Sequence, residues 1–140
     1  MRCLDRNLLG AIALVLAAAG CGNDETAPSS DQHTPVSYTL LINGNERTPP
    51  FTFVAGQTVR VRLKFVNSQG EDLDEVETEH FAGLTFDPGS LATATRLTTN
   101  HYQFDVTGQA PGSGTLQVSF GHDELADEHT FPEAAVTVTP

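Results

Sequence analysis

Two kinds of residue that stabilise many secreted domains are scarce in this chain: cysteine and tryptophan. Its 140 residues include only two cysteines, Cys3 and Cys21, and no tryptophan. Both cysteines lie near the N-terminus, so the chain beyond them has no pair from which to form a disulfide. Any domain in that part of the chain must be held together by its hydrophobic core alone.

Basic residues are also few. Seven lysines and arginines stand against 18 aspartates and glutamates, which gives a formal net charge of -11. Affinity for nucleic acid depends on lysine and arginine contacts to phosphates, so this balance excludes nucleic-acid binding. Cations or a basic partner are the ligands that such a charge favours.

Sequence motifs of common enzymes are missing. The chain has no Gly-x-Ser-x-Gly, no His-Glu-x-x-His and no phosphate-binding loop, and no cysteine nucleophile follows residue 21. Acidic residues are abundant in the predicted loops, but a flexible loop does not hold two carboxylates in the fixed geometry that acid–base catalysis needs. We therefore predict a protein that is not an enzyme.

The main apolar run lies at the N-terminus and is too short to span a bilayer. Arg2 and Arg6 precede a run from Leu8 to Ala19 of about a dozen residues, whereas a membrane-spanning helix needs about 20. A charged start followed by a short apolar centre is typical of a secretory signal. Residues 1–20 are therefore predicted to be a signal peptide.

The apolar run ends in Ala18-Ala19-Gly20-Cys21, which resembles the lipobox of bacterial lipoproteins. The resemblance implies cleavage just before Cys21, acylation of that cysteine and attachment of the protein to the membrane through the lipid. Gly22, rather than aspartate, follows the cysteine, which in bacteria with two membranes implies sorting to the outer membrane. An ordinary signal peptide with a chance cysteine is the alternative.

The segment 21–35, which begins with the lipidated cysteine, contains almost nothing to bury and is predicted to be a disordered tether. Fully extended, the 14 residues after the cysteine reach at most about 50 Å. The folded domain is expected to occupy residues 36–140 and to stand away from the membrane.

The clearest β-strand signal runs from Gly56 to Val66. Its residues alternate, with apolar side chains at Val59, Val61, Leu63 and Phe65 and basic ones at Arg60, Arg62 and Lys64. Successive side chains leave opposite faces of a strand, so this alternation predicts a strand with one buried face. The basic face is interpreted as pairing across the sheet with Asp105, and a docking stripe is the alternative.

Seven or eight short strands can be recognised after residue 35, separated by turn signals about every ten residues. The segments are 36–42, 51–53, 56–66, 81–86, 91–97, 101–107, 115–120 and 135–139. Their number and spacing predict an all-β fold, an immunoglobulin-like β-sandwich of antiparallel strands. An open barrel is the competing architecture.

Three stretches resemble bacterial Ig-like domains. They are Phe-Val-Ala-Gly-Gln-Thr-Val from Phe53, Val-Asn-Ser-Gln-Gly-Glu-Asp-Leu from Val66, and Tyr-Gln-Phe-Asp-Val-Thr-Gly-Gln-Ala-Pro-Gly-Ser-Gly-Thr-Leu-Gln-Val from Tyr102. The resemblance covers most of residues 36–139 and implies an Ig-like fold and a cell-surface setting. It implies no single activity, since this fold hosts many functions. The chain lacks the paired cysteines and the tryptophan of antibody domains.

Ig order places three connections at one end of the sandwich. When 56–66 is labelled strand B and the following strands C to G, the B–C, D–E and F–G connections come together. They carry four of the five histidines and ten acidic residues: Glu71, Asp72, Asp74, Glu75, Glu77, Glu79, His80, His101, His122, Asp123, Glu124, Asp127, Glu128 and His129. The sequence thus predicts an acidic, histidine-bearing pole.

Imidazole and carboxylate groups together suit zinc, copper or nickel. The ligands predicted first are His80, His122 and His129, with Glu79, His101 and Asp123 as further candidates. A calcium site made of the carboxylates alone is the less favoured variant. Loops are polar because they are solvated, so a charged pole without any ligand is the competing interpretation.

These inferences lead to two hypotheses about function. In the first, a lipid-anchored Ig-like protein of the cell envelope binds a divalent transition metal at this pole. In the second, the same protein is a structural or adhesion module that binds an envelope protein or a glycan and needs no metal.

Overall fold

The structure is a computed structural model that describes residues 34–73, 79–122, 126 and 129–140. The predictions on the signal peptide, on Cys21, on most of the tether and on Asp123 concern residues outside this set. Among the described residues, none forms a helix with the length and apolar character needed to cross a membrane.

The described residues form ten strands arranged in two sheets. One sheet has the order β2-β1-β4-β7-β6 and the other β3-β10-β8-β5, with β9 added to β8. The strands are β1 (Pro35–Ile42), β2 (Asn45–Arg47), β3 (Phe51–Val54), β4 (Thr58–Asn67), β5 (Phe81–Asp87), β6 (Ala92–Leu97), β7 (Asn100–Gly108), β8 (Gly112–Gly121), β9 (His129–Thr130) and β10 (Ala134–Thr139). Strands β1, β4, β7 and β6 take the places of Ig strands A, B, E and D, and β10, β8 and β5 those of G, F and C. The predicted immunoglobulin-like sandwich is therefore confirmed.

The short strands β2 and β9 and the direction of β3 were not predicted. Asn43 and Gly44 have φ values of 50° and 80° and form a two-residue turn that pairs Ile42 with Asn45, which adds the short strand β2. Strand β3 pairs with β10 in parallel, whereas the other pairs are antiparallel. The chain thus crosses from one sheet to the other between β2 and β3, around Pro49 and Pro50.

The apolar face of β4 is the centre of the core. Val61, Leu63 and Phe65 have no exposed surface. The ring centroid of Phe65 lies 5.1 Å from that of Tyr102 on β7 and 5.2 Å from that of Phe120 on β8, both in edge-to-face geometry. Phe65 therefore joins the two sheets, and such aromatic pairs add about 0.5–1.5 kcal/mol each beyond the area they bury.

The outer face of β4 carries the basic stripe predicted from the alternation. Arg60 lies opposite Asp105 on β7, and its Nε donates a 2.7 Å hydrogen bond to that carboxylate. Lys64 forms a 3.0 Å ion pair with Asp72. Cross-strand pairing, the favoured interpretation, is confirmed for Arg60 and Asp105, and exposed pairs of this kind contribute about 0–1 kcal/mol.

The two acidic connections are more closely attached to the core than the sequence indicated. Leu73 donates its backbone N–H to the Phe65 carbonyl at 2.9 Å, and Asp72 forms a β-bridge with Val66. Phe131 is buried, and its ring stacks on that of Phe65 at 5.7 Å. The connections over 71–79 and 121–132 were expected to be loops, and at these described positions that expectation was wrong, because Leu73 and Phe131 pack against the core of the sandwich.

Candidate functional site

The B–C, D–E and F–G connections meet at one end of the sandwich, which is called the loop pole below (residues 68–80, 98–101 and 121–133). Phe81 at the start of β5 pairs with Gly121 at the end of β8, so the B–C and F–G connections begin side by side. His101, just after the D–E turn, donates from Nδ1 to the carbonyl oxygen of His80 at 3.1 Å. The convergence of the three connections agrees with the expectation from Ig order.

His80 is the most buried of the candidate ligands that the structure describes, because it is packed into the end of the core. It is only 3% exposed, and its ring centroid lies 5.2 Å from that of Phe120. Residues 80, 82, 84 and 86 continue the inward-facing side of β5, since Ala82, Leu84 and Phe86 are buried. His80 is therefore the last inward-facing position before the B–C connection.

His122 lies directly beside His80. The register that pairs Phe81 with Gly121 and Ala82 with Phe120 brings His80 and His122 opposite each other when it is extended by one position. Their ring centroids are 4.8 Å apart with an interplanar angle of 69°, and His122 also lies 5.8 Å from the ring of Phe120. His122 is exposed, so this histidine pair has one buried and one solvent-facing member.

The other two candidate histidines pack on phenylalanines instead. The His101 ring stacks on Phe81, with centroids 4.1 Å apart and an interplanar angle of 11°. The Arg96 guanidinium also lies 4.9 Å from the Phe81 ring and donates to the Ala82 carbonyl at 3.1 Å. Together, His101, Phe81 and Arg96 form a contact between β5 and β6, which are the edge strands of the two sheets. His101 is therefore part of the packing between the sheets.

His129 contacts Phe131 edge-to-face, with centroids 4.7 Å apart. Phe131 in turn meets the ring of Tyr38 at 5.0 Å, and burial raises the pKa of the Tyr38 phenol above its usual 10. The neutral phenol is thus favoured in the folded protein. Ionising Tyr38 costs stability, so the free energy of unfolding falls as pH rises above 10. His129, the first residue of β9, is therefore packed against this pair of aromatic rings.

The predicted ligand set is therefore divided by the structure. His80 and His122 come together, whereas His101 and His129 are each engaged with a phenylalanine ring. Glu79 is exposed and adjacent to His80 in the chain. Within the part of the chain that the structure describes, no three histidine, cysteine, aspartate or glutamate side chains are grouped so as to hold a metal ion.

A buried asparagine fixes the start of the B–C connection. Asn67 is 3% exposed, and its Oδ1 accepts hydrogen bonds from the backbone N–H groups of Gln69 at 3.0 Å and Glu71 at 2.9 Å. Its Nδ2 donates to the Glu71 carboxylate at 3.2 Å. This arrangement holds the chain in the turn that returns residues 71–73 to β4.

Replacing Asn67 with alanine is expected to lower the free energy of unfolding by about 1–3 kcal/mol, since two backbone donors lose their acceptor. Amide hydrogen exchange should accelerate at Gln69 and Glu71, while amides in the middle of β4 should change only as much as global stability does. The exposed neighbour offers the control: Ser68→Ala should leave both stability and exchange nearly unchanged. Equal exchange at Glu71 in Asn67→Ala and the parent would contradict this role.

No protein-family model matches the chain, and no curated protein matches it significantly. Similar solved structures come from surface-layer protein SbsC. Its domains 4–9 share 17% identity with a TM-score of 0.50 over 76% of this chain and 14% of that one. Its domains 4 and 5 share 17% identity with a TM-score of 0.49 over 76% of this chain and 54% of that one, so the chain spans about half of that structure or less. At this identity the similarity concerns the fold alone.

Proposed function

We propose that this chain is a lipid-anchored protein of the cell envelope whose Ig-like domain is a structural or adhesion module for an envelope protein or glycan. The observation that carries the proposal is an Ig-like sandwich that follows a lipobox-like sequence after a polar segment of 14 residues. A similar fold in domains of a surface-layer protein supports an envelope location. An outer-membrane position follows from Gly22 if the host has two membranes.

The strand order also shows at which end of the sandwich the predicted tether joins the domain. Pro35 at the start of β1 pairs with Asn67 at the end of β4, so the tether joins the domain at the loop pole. Strand β10 ends at the opposite end of the sandwich, where Thr139 pairs with Val54. In the proposed lipoprotein the tether therefore leaves the domain at the loop pole.

The anchoring part of the proposal is tested by Cys21→Ser in the full-length protein, expressed in a bacterial host. Most of the parent protein should sediment with membranes, leave them only in detergent and carry the mass of a lipid, because the acyl chains partition into the bilayer. The Cys21→Ser variant should lose both the lipid mass and the resistance to salt and carbonate washes. Cys3→Ser, in the predicted signal, should behave like the parent.

If Cys21→Ser keeps its lipid mass or its detergent requirement, the lipoprotein assignment is wrong. If the parent protein is found in the soluble fraction at the mass of an ordinary cleaved chain, the alternative of a simple secretory signal holds instead.

Binding of a divalent transition metal at the loop pole is a second candidate function. The observation that favours it is the adjacency of His80 and His122, with their ring centroids 4.8 Å apart. Neutral imidazole is a common ligand of zinc, copper and nickel.

A further inference from the structure

We propose that one transition-metal ion binds between His80 and His122 and joins the end of the B–C connection to the start of the F–G connection. This rests on the second candidate function above, and it reduces the six predicted ligands to a defined pair with a preferred class of metal.

The geometry of the pair fits a shared ion. When one tetrahedral ion binds two imidazole nitrogens at about 2.0–2.1 Å, the two ring centroids lie about 5 Å apart and the rings are inclined to each other. The observed centroid separation is 4.8 Å, at an interplanar angle of 69°. The separation is therefore compatible with a shared ion, but the two rings are packed edge-to-face, so binding requires the side chains to rotate until a nitrogen of each faces the ion.

The backbone holds the pair together before any ion arrives. The β5–β8 ladder is paired from Phe81 with Gly121 to Asp87 with Thr115. The two histidines are the next residues beyond its Phe81–Gly121 end. The hydrogen bond from His101 Nδ1 to the His80 carbonyl fixes the main chain at the other side of the site. Preorganisation of this kind reduces the entropy lost on binding.

The two members of the pair have different roles. His80 is buried against Phe120, which restricts its ring and gives the site an apolar wall. His122 is exposed, so it gives the ion a route from solvent. Solvent is available for the remaining coordination positions.

The donor set determines the class of metal. Two imidazoles favour copper(II), with nickel and zinc weaker, in the order that nitrogen ligands impose on divalent ions. Calcium prefers six to eight oxygen ligands and gains little from this pair. Among the described residues, the ring contacts of His101 and His129 are with Phe81 and Phe131 and not with another imidazole, so neither is a ligand in this proposal.

The test is calorimetric titration of the full-length protein, purified in detergent, with copper(II), zinc and calcium chlorides at pH 7.5. Free thiols are first alkylated so that an unlipidated Cys21 cannot bind the metal. His33 lies in the predicted tether, so all variants are made in a His33→Gln parent to remove its imidazole from the measurement. We expect one copper(II) ion per chain with a Kd of about micromolar order, weaker binding of zinc and no measurable heat from calcium.

His122→Gln should weaken copper(II) binding by at least about tenfold, and His129→Gln, a matched change at the same pole, should leave it unchanged. His122 is exposed, so its replacement is not expected to disturb the fold, which a thermal melt of each variant checks. Copper(II) electron paramagnetic resonance should show two nitrogen ligands in the parent and one in His122→Gln.

The outcomes separate the possible failures. Tight binding that survives His122→Gln would overturn the ligand pair but leave metal binding at the pole standing. No copper(II) binding to the parent would overturn both the pair and the second candidate function. Neither result bears on the anchored structural module, which the Cys21→Ser fractionation tests separately.

Discussion

Replacing Phe65 with alanine is expected to lower the free energy of unfolding by about 3–5 kcal/mol, the usual range for removing a buried phenylalanine ring. Phe65 has no exposed surface, and its ring contacts those of Tyr102, Phe120 and Phe131. The substitution leaves a cavity between the two sheets that the surrounding strands cannot close. A domain of this size has only about 5–15 kcal/mol of stability in total, so the loss is a large fraction of it.

Urea unfolding followed by fluorescence or circular dichroism measures this effect. Val36→Ala is the matched control, since Val36 lies on β1 but is 58% exposed, and it should change stability by less than about 0.5 kcal/mol. Phe65→Leu, which refills part of the cavity, should lie between the two. A loss below about 1 kcal/mol in Phe65→Ala would mean that the ring does not join the sheets as described.

The importance of Phe65 could be predicted from sequence because β4 alternates over its whole length. Val59, Val61, Leu63 and Phe65 repeat every second residue, and this period has a single interpretation in a strand. The same kind of pattern defined β7 and β8, so the number of long strands and the class of sandwich followed. Wherever one face of a strand is buried, the alternation of apolar and polar residues was enough to predict the strand.

The parallel pairing of β3 with β10 could not be predicted in the same way. Phe51 and Phe53 indicate a short buried strand, but nothing local indicates which strand lies beside it, since the partner is more than 80 residues away in the chain. Phe131 was also missed, because its acidic neighbours make the segment resemble a solvated loop. Which distant strands pair, and which residues cover the open end of the sandwich, depend on contacts across the whole fold and not on the local sequence.

The candidate site was predicted in outline and not in detail. Ig order was enough to bring three connections to one pole, but the ranking of the histidines put His129 with His80 and His122, whereas the structure places His129 against Phe131. A usable signal was present: His80 continues the inward-facing positions of Ala82 and Leu84, and His122 continues those of Val118 and Phe120. Inward-facing positions at the ends of neighbouring strands are the ones that meet, whereas His101 and His129 are drawn to nearby phenylalanines.

Replacing Gly108 with alanine is expected to destabilise the domain by about 1–3 kcal/mol through overpacking, although the change adds only one methyl group. The added Cβ would lie 2.5 Å from the Val54 carbonyl oxygen and 3.1 Å from Val138 Cγ1. The backbone there cannot easily retreat, because Gly108 accepts from Gly56 at 2.9 Å and donates to Gln57 at 3.2 Å.

This glycine lies where the end of β7 meets strands β3 and β10 of the other sheet, at the end opposite the loop pole. Strand β3 has crossed to the second sheet there, and its last residues lie against the end of β7. Gly89→Ala is the matched control, since its added Cβ would have an ordinary 3.9 Å contact with the Phe86 carbonyl oxygen and its φ is not positive. Urea midpoints should fall clearly for Gly108→Ala and stay within about 0.5 kcal/mol for Gly89→Ala. Equal midpoints for the two variants would show that the backbone around Val54 and Gly108 leaves more space than the structure indicates.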